Sequence, residues 1–395
     1  MKILIVGAGL GGFGAAIALA RHGFQVTLIE KAARLEDVGA GIQLSPNAMH
    51  VLAAYGLGQQ VADVGFRPES GIIRDYASGR VVTNTPFAGV AERRYGQPYV
   101  HIHRADLVKI LHDEALKVGV TVHLNTQLKS FSQEPDKCVI STVSGQELQG
   151  DALIGADGIG SSIQAGLFGH QKPRWTSQVA WRATVPVDRL PENCVKPSAT
   201  VWRGPNKHLV TYLLKSGKLA NIVAVEECDK QHAETWREEG DALQLQHAFD
   251  GWHADVEALL GAVTETHIWG LYDRAPFKSW GTGRVTLLGD ACHPMLPFMA
   301  QGGAMALEDG YVLADCLKRV SDVSAALKLY ERMRKPRTSM VQKRSAENSG
   351  LFHMHRGLQM PVNAAKLFIG GTFPTLTLKT LDPIYGIDVT TDHPK

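Results

Sequence analysis

The chain has 395 residues, more than one hydrophobic core usually supports, so its length predicts at least two domains. Its 41 Lys and Arg residues against 39 Asp and Glu give a formal net charge of +2, without the basic excess that general nucleic-acid binding requires. The five cysteines have neither the spacing of a zinc site nor that of a disulfide framework. The apolar stretch at residues 3–20 is broken by glycines and leads into charged, patterned sequence. We therefore predict a globular cytoplasmic protein, a monomer or a homodimer, without nucleic-acid or membrane partners.

The first thirty residues have the pattern of a βαβ unit. Residues 2–6 form a β-branched run, residues 13–22 are rich in Ala and Leu as a helix should be, and residues 25–30 return to strand character. A glycine-rich turn, GAGLGG, joins the first strand to the helix. This order of elements predicts a Rossmann-like nucleotide-binding unit.

The glycines of the turn have distinct predicted roles. Gly7 permits a tight turn, Gly9 lets the backbone approach a pyrophosphate, and Gly12 allows close helix packing. Glu30, at the end of the second strand, is placed to accept hydrogen bonds from ribose hydroxyls. The alternative is an ordinary βαβ turn with Glu30 as a solvated strand end.

The rest of the chain alternates between two kinds of pattern. Residues 105–118 predict an amphipathic helix and 120–124 a strand, and hairpin-like strands follow from residue 133. Short strands at 181–186 and 208–214 lie among Pro- and Gly-rich turns, which indicates a second, sheet-based domain. A strand at 284–290 and a helix at about 302–318 then return to the first layer. The predicted α/β organisation is a discontinuous nucleotide-binding domain (1–70, 100–171 and 271–350), a sheet-based domain (71–99 and 172–270) and a C-terminal segment with helices (351–395).

A second motif, GRVTLLGDACHP, begins at Gly283. A strand that ends in an acid suits a polyol hydroxyl bonded to Asp290. The helix that starts after Gln301 would aim its positive end at an isoalloxazine ring, which becomes negatively charged on reduction. A plain βα crossover is the alternative for this segment alone. Together the two motifs favour an extended cofactor over a mononucleotide.

Several long motifs resemble the single-component FAD-dependent aromatic hydroxylases, of the salicylate hydroxylase, 3-hydroxybenzoate 6-hydroxylase and 6-hydroxynicotinate 3-monooxygenase kind. The resemblance covers nearly the whole chain. The matching pieces are GAGLGG with Glu30, the stretch 38–47, HRADL at 103–107, GADG at 155–158, GDACHPMLPFMAQGG from Gly289, and residues 330–337.

The resemblance implies FAD as cofactor, bound by the discontinuous domain, with a substrate domain formed by the second sheet. Arg104 would contact the flavin nucleotide, and Asp157 would lie near the pyrophosphates; Arg104 paired with Asp106 at a helix start is the alternative. One full Rossmann fingerprint is present, so NADH or NADPH is expected to visit the flavin transiently. The other positions that the resemblance places at the cofactor are Leu10, Lys31, Gln43, Leu128 and Gly303.

The substrate site is predicted on the strand at 208–214. Alternation along a strand puts His208, Val210 and Tyr212 on one face, so two polar rings point into a cleft. The resembling hydroxylases carry His and Tyr at this spacing near the ring hydroxyl and carboxylate of their substrates. Pro297 and Gln301 match family positions beside the flavin. A structural His and Tyr, and a commonplace helix-start glutamine, are the alternatives.

These residues predict an NAD(P)H- and O₂-dependent monooxygenase acting on a small phenolic aromatic acid of the salicylate or hydroxybenzoate type. The family's flavin C4a-hydroperoxide attacks an electron-rich carbon, and His208 or a Tyr212 relay would take the phenolic proton. The alternatives are a hydroxylase of an N-heteroaromatic acid such as 6-hydroxynicotinate, a flavin dehydrogenase or oxidase, and a flavin-binding regulator. Cys292 is interpreted as a small buried residue. We predict no metal site.

Overall fold

The computed structural model describes residues 1–35, 41–234, 238–354 and 374–391, without the side chains of 374–376. The first three residues of the motif at 38–47 therefore lie outside the described residues. So do residues 355–373 and 392–395 of the predicted C-terminal segment.

The strands of the described residues are numbered in chain order: β1 Lys2–Val6, β2 Gln25–Ile29, β3 Gly41–Leu44, β4 Ser70–Asp75, β5 Val81–Pro86, β6 Val100–His103, β7 Thr121–His123, β8 Leu128–Gln133, β9 Cys138–Thr142, β10 Glu147–Gly150, β11 Ala152–Gly155, β12 Arg174–Pro186, β13 Ser198–Gly204, β14 Lys207–Leu214, β15 Leu219–Glu227, β16 Glu239–Gly240, β17 Thr266–Asp273, β18 Gly281–Thr282 and β19 Val285–Leu287. The helices are α1 Leu10–Arg21, α2 Pro46–Ala54, α3 Gly58–Val64, α4 Val90–Tyr95, α5 Arg104–Lys117, α6 Ser162–Phe168, α7 Ala242–Ala248, α8 Ala254–Gly261, α9 Gly302–Arg319, α10 Val323–Phe352 and α11 Pro374–Tyr385.

The predicted nucleotide-binding layer is a six-stranded sheet in the order β18-β19-β11-β1-β2-β7. Its strands pair in parallel, except the short β18. The predicted strands at 2–6 and 25–30 and the helix at 105–118 are confirmed to within one residue. Helix α1 starts at Leu10, three residues before the predicted position, because the glycines after it are compatible with helical geometry here.

The predicted strand at 284–290 is wrong at its end. Only Val285–Leu287 pairs in the sheet, and a short 3₁₀ turn, Gly289–Ala291, follows it. Gly289 has φ +65°, a left-handed conformation that ends strand pairing and turns Asp290 away from the strand direction.

The second sheet has eight strands in the order β16-β17-β12-β15-β14-β13-β4-β5. Neighbours are antiparallel, except the parallel pair β13 and β4. One face carries Trp181 and Leu209 into a core with α7 and α8, and the alternate residues face the opposite way. The strands β4 and β5 belong to this sheet, which is consistent with the predicted assignment of residues 71–99 to the second domain. The limits of the two domains stay a prediction.

Helices α1 and α9 cross at very short distance. A Cβ added at Gly310 would lie 2.5 Å from the backbone N of Ala15, and one at Gly14 would lie 3.1 Å from Leu307 Cδ2. The glycines therefore let the two backbones touch. This crossing holds the N-termini of both helices toward the same region of the molecule. Within the described ranges, no helix is long and apolar enough to cross a membrane.

Candidate functional site

Two adjoining cavities meet at the glycine turn before α1, and the larger one extends to the start of α9 and to one face of the second sheet. The larger has a volume of about 490 Å³ and the smaller about 240 Å³. Gly9, Ala156 and Gly158 line both. The backbone of the glycine turn is thus the border between two connected spaces, which suits one long ligand.

The glycine turn has the geometry that its sequence predicts. Gly7 has φ +107°, and an added Cβ would lie 2.3 Å from the carbonyl oxygen of Ala156. A Cβ at Gly12 would lie 1.9 Å from the carbonyl oxygen of Gly7, whereas one at Gly9 would meet no atom within 4 Å. Gly7 and Gly12 therefore serve the turn and the helix packing. Gly9 leaves its backbone open to a ligand.

The smaller cavity is lined by Glu30, Lys31 and Leu128. The Glu30 carboxylate accepts hydrogen bonds from the backbone N–H groups of Ala8, at 2.8 Å, and Ala32, at 2.9 Å. These bonds hold the carboxylate beside the glycine turn, unlike a solvated strand end. A carboxylate has further lone pairs, so it can still accept from ribose hydroxyls.

Asp157 also lines the smaller cavity, where it starts the loop before α6. Its carboxylate accepts from the Ser161 hydroxyl at 2.5 Å and from the Ser162 N–H at 2.7 Å. Burial raises the pKa of Asp157 against these bonds, which lower it. The visible role of this side chain is to fix the loop at Gly158, and contact with a pyrophosphate stays a prediction.

The larger cavity has a polar end formed by Asp290, Arg104 and the start of α9. The first N–H groups of a helix have no partner within it, so they face the cavity as donors. A Cβ at Gly303 would lie 2.8 Å from Ile42 Cδ1 and 3.0 Å from Leu10 Cδ1, so a larger residue here would require these side chains to shift. Burial raises the pKa of Asp290, while His293 and Arg104 lower it. Its carboxylate is nevertheless exposed to the open cavity.

A buried ion network holds the Asp290 loop. Asp309 accepts from Arg334 Nε at 2.7 Å and lies 2.5 Å from His293 Nε2, and its second oxygen also accepts from the Gly289 N–H at 3.2 Å. Glu308 pairs with Arg334 at 2.8 Å. The network connects α9, α10 and the loop, so the acid at 290 is positioned from two helices.

Within the described residues, Cys292, His293 and Asp309 lie close enough together to suggest a metal site. The Asp309 carboxylate, however, is shared between Arg334, His293 and a backbone N–H. Burial raises the pKa of the Cys292 thiol, which disfavours the thiolate that a metal needs. We interpret the cluster as part of the ion network, and Cys292 as the buried small residue that its sequence context indicates.

The substrate side of the larger cavity is one face of the second sheet. His208, Val210 and Tyr212 line it together, as alternation along β14 predicts. Val210 pairs with Val223, and Val223 pairs with Arg182 on the next strand. Arg182 therefore points into the same cavity, where its guanidinium carbon lies 4.7 Å above the Trp269 ring.

His208 is almost completely buried and bonds another histidine. Its Nδ1 lies 2.8 Å from Nε2 of His353. Burial, with a smaller electrostatic contribution from His353, lowers the pKa of His208 well below its ordinary value of 6.5. His208 is therefore neutral at physiological pH.

Tyr212 is buried against a glycine and a histidine. A Cβ at Gly41 would lie 2.5 Å from Tyr212 Cε2, and the His101 ring centroid lies 4.6 Å from that of Tyr212. The Gly41 N–H donates to Asn221 Oδ1 at 2.7 Å, which fixes β3 beside the tyrosine. Burial raises the pKa of Tyr212, although Arg182 lowers it. Tyr212 is therefore a neutral hydrogen-bond donor.

Gln301 lines the cavity, yet its amide is already bonded to neighbours. Nε2 donates to the Ser45 hydroxyl at 2.8 Å, and Oε1 accepts from Asn47 at 3.1 Å. These bonds tie the start of α9 to α2, and a bond to substrate stays a prediction. Pro297 lines the cavity at the start of a 3₁₀ turn, Pro297–Met299. Gln43 also lines it and accepts from the Tyr99 hydroxyl at 2.8 Å.

Sequence reasoning missed Arg182, His353 and the Asp309 network. Arg182 had a local signal, since it is a charged residue within the predicted strand at 181–186, and the alternation of that strand assigns it a face. Neither His353 nor the Asp309 network had one, because their partners come from distant parts of the chain.

The residues present fit FAD. The N-terminus of α1 and the open backbone at Gly9 supply N–H donors for a pyrophosphate, and the N-terminus of α9 supplies N–H donors at the ring end of the larger cavity. Glu30 in the smaller cavity and Asp290 in the larger one are acceptors for ribose and polyol hydroxyls. Mononucleotide binding would use one of these spaces and leave the other without a ligand.

Comparison with known proteins also indicates FAD as the cofactor. The family model described as FAD binding domain matches residues 1–345. The chain is 35% identical over 390 residues to 3-hydroxybenzoate 6-hydroxylase 1 of Aquipseudomonas alcaligenes, which covers 98% of this chain and 97% of that protein. It is 35% identical over 359 residues to 6-hydroxynicotinate 3-monooxygenase of Bordetella bronchiseptica, which covers 89% and 92%. The solved structure of a salicylate hydroxylase substrate complex superposes with a TM-score of 0.83 at 25% identity, covering 99% of this chain and 96% of that one.

Proposed function

Because this chain belongs to the FAD-binding family of aromatic hydroxylases, we propose that it is an NAD(P)H- and O₂-dependent monooxygenase that hydroxylates a small phenolic aromatic acid. One observation carries the choice of substrate. A neutral histidine, a neutral tyrosine and an arginine line the same sheet face opposite the cofactor end of the larger cavity.

The bound flavin supplies the redox chemistry, by accepting electrons from NAD(P)H and activating O₂. The protein's own residues supply position and proton handling. The start of α9 and Asp290 hold the ring end of the cofactor, while the glycine turn and Glu30 hold the adenylate end. One dinucleotide fingerprint implies no separate nicotinamide domain, and the family resemblance supports a transient visit by NADH or NADPH to the flavin.

Of the two predicted bases, His208 is the better candidate. A phenolate carbon is a stronger nucleophile than a phenol carbon, so removal of the hydroxyl proton assists the reaction. His208 is neutral, so its ring can accept that proton, whereas the raised pKa of Tyr212 makes the tyrosine a donor. Tyr212 then orients the substrate by donating a hydrogen bond.

Arg182 is proposed to bind the substrate carboxylate. It lies two strands from β14, roughly 10 Å away at about 4.8 Å per strand step, and both positions face the cavity. A guanidinium also binds a carboxylate through two parallel hydrogen bonds.

The first experiment is a screen of aromatic acids for stimulated NADH and NADPH oxidation, with ¹⁸O₂ used to follow oxygen into the product. Stimulation by a hydroxybenzoate with one labelled oxygen incorporated supports the proposal. A purified protein without FAD, or with no phenolic acid that accelerates NAD(P)H consumption, contradicts it. Stimulation without incorporated oxygen identifies the dehydrogenase or oxidase alternative instead.

Two variants test the residue assignments. His208→Ala should slow hydroxylation about 100-fold or more while leaving flavin reduction nearly unchanged, and equal losses in both steps would refute a base role. Arg182→Met should raise KM for carboxylated substrates about 10-fold to 150-fold, since a charged hydrogen bond contributes about 1.5–3 kcal/mol. Arg174→Met is the matched control, because Arg174 lies on the same strand and pairs with Asp273 at the surface.

A 6-hydroxynicotinate-type substrate is the second candidate, supported by the 6-hydroxynicotinate relative. It has the same carboxylate and ring hydroxyl, so the screen includes it beside the benzoates. The cytoplasmic location and the monomeric or homodimeric state stay predictions.

A further inference from the structure

Three titratable side chains form a continuous path from the larger cavity to the protein surface. His208 lines the cavity, and its Nδ1 lies 2.8 Å from Nε2 of His353. The other ring nitrogen of His353, Nδ1, lies 3.4 Å from Oε1 of Glu227. His353 is fully buried, whereas 35% of the Glu227 side chain is exposed. The path therefore begins at the proposed base and ends at water.

Backbone hydrogen bonds fix the positions of His353 and Glu227. His353 caps the C-terminus of α10, and its carbonyl oxygen accepts from the Asn206 N–H at 2.8 Å. The carbonyl of Asn206 in turn accepts from the Glu227 N–H at 3.0 Å. One short turn before β14 thus fixes both His353 and Glu227 next to the strand that carries His208.

A carboxylate at the outer end selects the tautomers of both rings. A carboxylate accepts hydrogen bonds, so His353 donates from Nδ1 to Glu227 and accepts at Nε2 from the Nδ1–H of His208. The Nε2 atom of His208 then carries a lone pair, and it is the ring nitrogen available to a molecule in the cavity. Every member of the path thus has the proton arrangement that transfer outward requires.

The surroundings of His208 explain why a path is needed. The rings of Phe298 and Phe352 lie 5.3 and 5.2 Å from its ring, and the environment disfavours the imidazolium form. A base that cannot hold a positive charge must pass one proton on as it receives another. A partner at Nδ1 allows this, because His208 then stays neutral throughout.

We propose that His353 and Glu227 act as a proton relay that carries the substrate's hydroxyl proton from His208 to solvent. The inference rests on the proposed function, which supplies the phenolic proton. The substrate O–H bond breaks as an N–H bond forms at His208 Nε2. The Nδ1 proton of His208 moves to His353 Nε2, and the Nδ1 proton of His353 moves to the Glu227 carboxylate, which releases it to water. A proton returned along the same path when product leaves restores both tautomers.

The first test needs no substrate. In the FAD-loaded enzyme labelled with ¹⁵N-histidine, both His208 and His353 should carry their proton on Nδ1, and Glu227→Gln should change the His353 tautomer populations. A His353 ring protonated on Nε2 and unaffected by Glu227→Gln would overturn the relay. Glu147→Gln is the matched control, since Glu147 is an exposed strand carboxylate in another sheet.

The second test measures turnover with the phenolic acid that best stimulates NAD(P)H oxidation. His353→Gln should slow hydroxylation at least 10-fold, and Glu227→Gln should slow it less, with flavin reduction and FAD content unchanged in both. Because the two residues act in one path, the double variant should be no slower than His353→Gln. Losses that multiply in the double variant, or a wild-type hydroxylation rate in both single variants, would refute the relay.

The two tests separate the inference from its premise. If no phenolic acid stimulates the wild-type enzyme, the proposed function fails, while the tautomer measurement still reports on the histidine pair. If stimulation is normal and the tautomers are reversed, the relay fails and the function stands.

Discussion

Gly9 and Gly12 lie in the same turn, yet their replacement by alanine should damage different properties of the protein. An added Cβ at Gly12 lies 1.9 Å from the Gly7 carbonyl oxygen, about 1.5 Å closer than the 3.4 Å of an ordinary contact. The strand that holds Gly7 is paired on both sides, so it cannot move away freely. Gly12→Ala should therefore destabilise the apoprotein by about 1–3 kcal/mol.

Gly9→Ala should leave the fold intact and weaken cofactor binding. No atom lies within 4 Å of the added Cβ, and the backbone at φ −78° and ψ −175° suits any residue, so stability should rise by about 0.4–1 kcal/mol. The methyl group instead enters the space that both cavities share. Loss of one charge-assisted N–H bond to the pyrophosphate, about 1.5–3 kcal/mol, corresponds to FAD affinity about 10-fold to 150-fold lower.

The assays are urea denaturation of the apoproteins and titration of FAD by fluorescence quenching. Gly261→Ala is the control, because it adds a methyl group at the end of α8 with no atom within 4 Å and should leave FAD affinity unchanged. Native FAD affinity in Gly9→Ala would refute the backbone approach at this position. A native urea midpoint in Gly12→Ala would refute the close contact with Gly7.

Three further predictions concern Arg334, His101 and Asp290. Arg334→Ala leaves Asp309 without its guanidinium partner, so the free energy of unfolding, measured in urea, should fall by about 3–5 kcal/mol; a loss below 1 kcal/mol would contradict a stabilising network. Burial lowers the pKa of His101 from 6.5 to about 3, so the unfolded chain takes up the proton first and stability is lost as pH falls below 6.5. The free energy of unfolding, measured by urea denaturation from pH 7.5 to 5, should fall less steeply with pH in His101→Phe than in the wild type, by up to about 1.4 kcal/mol per pH unit. An unchanged pH dependence would refute the lowered pKa of His101. Asp290→Asn should weaken FAD binding about 10-fold by the same fluorescence titration, and native affinity would exclude a bond to the cofactor.

The local features of this protein could be predicted from the sequence because their causes are local. Alternation along β14 placed His208 and Tyr212 on one face, and that face does line the cavity. The spacing of the glycines gave the turn. The extent of the strand before Asp290 was predicted wrongly, since the left-handed Gly289 that ends it depends on a network contributed by other helices.

The features that could not be predicted depend on pairing between distant segments. Arg182 reaches the substrate face through the register of β12 with β15, and of β15 with β14. His208 and His353 lie 145 residues apart in the chain and meet only because α10 ends beside the sheet. Alternation within β12 assigns Arg182 a face but not its neighbours across the sheet, and no periodicity carries information about the meeting of His208 with His353.

The close crossing of α1 and α9 has a consequence for cofactor selection. The contact fixes the N-terminus of α1, where the two cavities meet, relative to the N-terminus of α9, which lines the larger cavity. The fold thus favours a ligand of one length. A flavin that lacks the adenylate half can reach α9 but leaves Glu30 without a ligand hydroxyl to bind. We therefore expect discrimination between FAD and FMN to depend on helix packing deep in the fold, remote from the ring where the chemistry takes place.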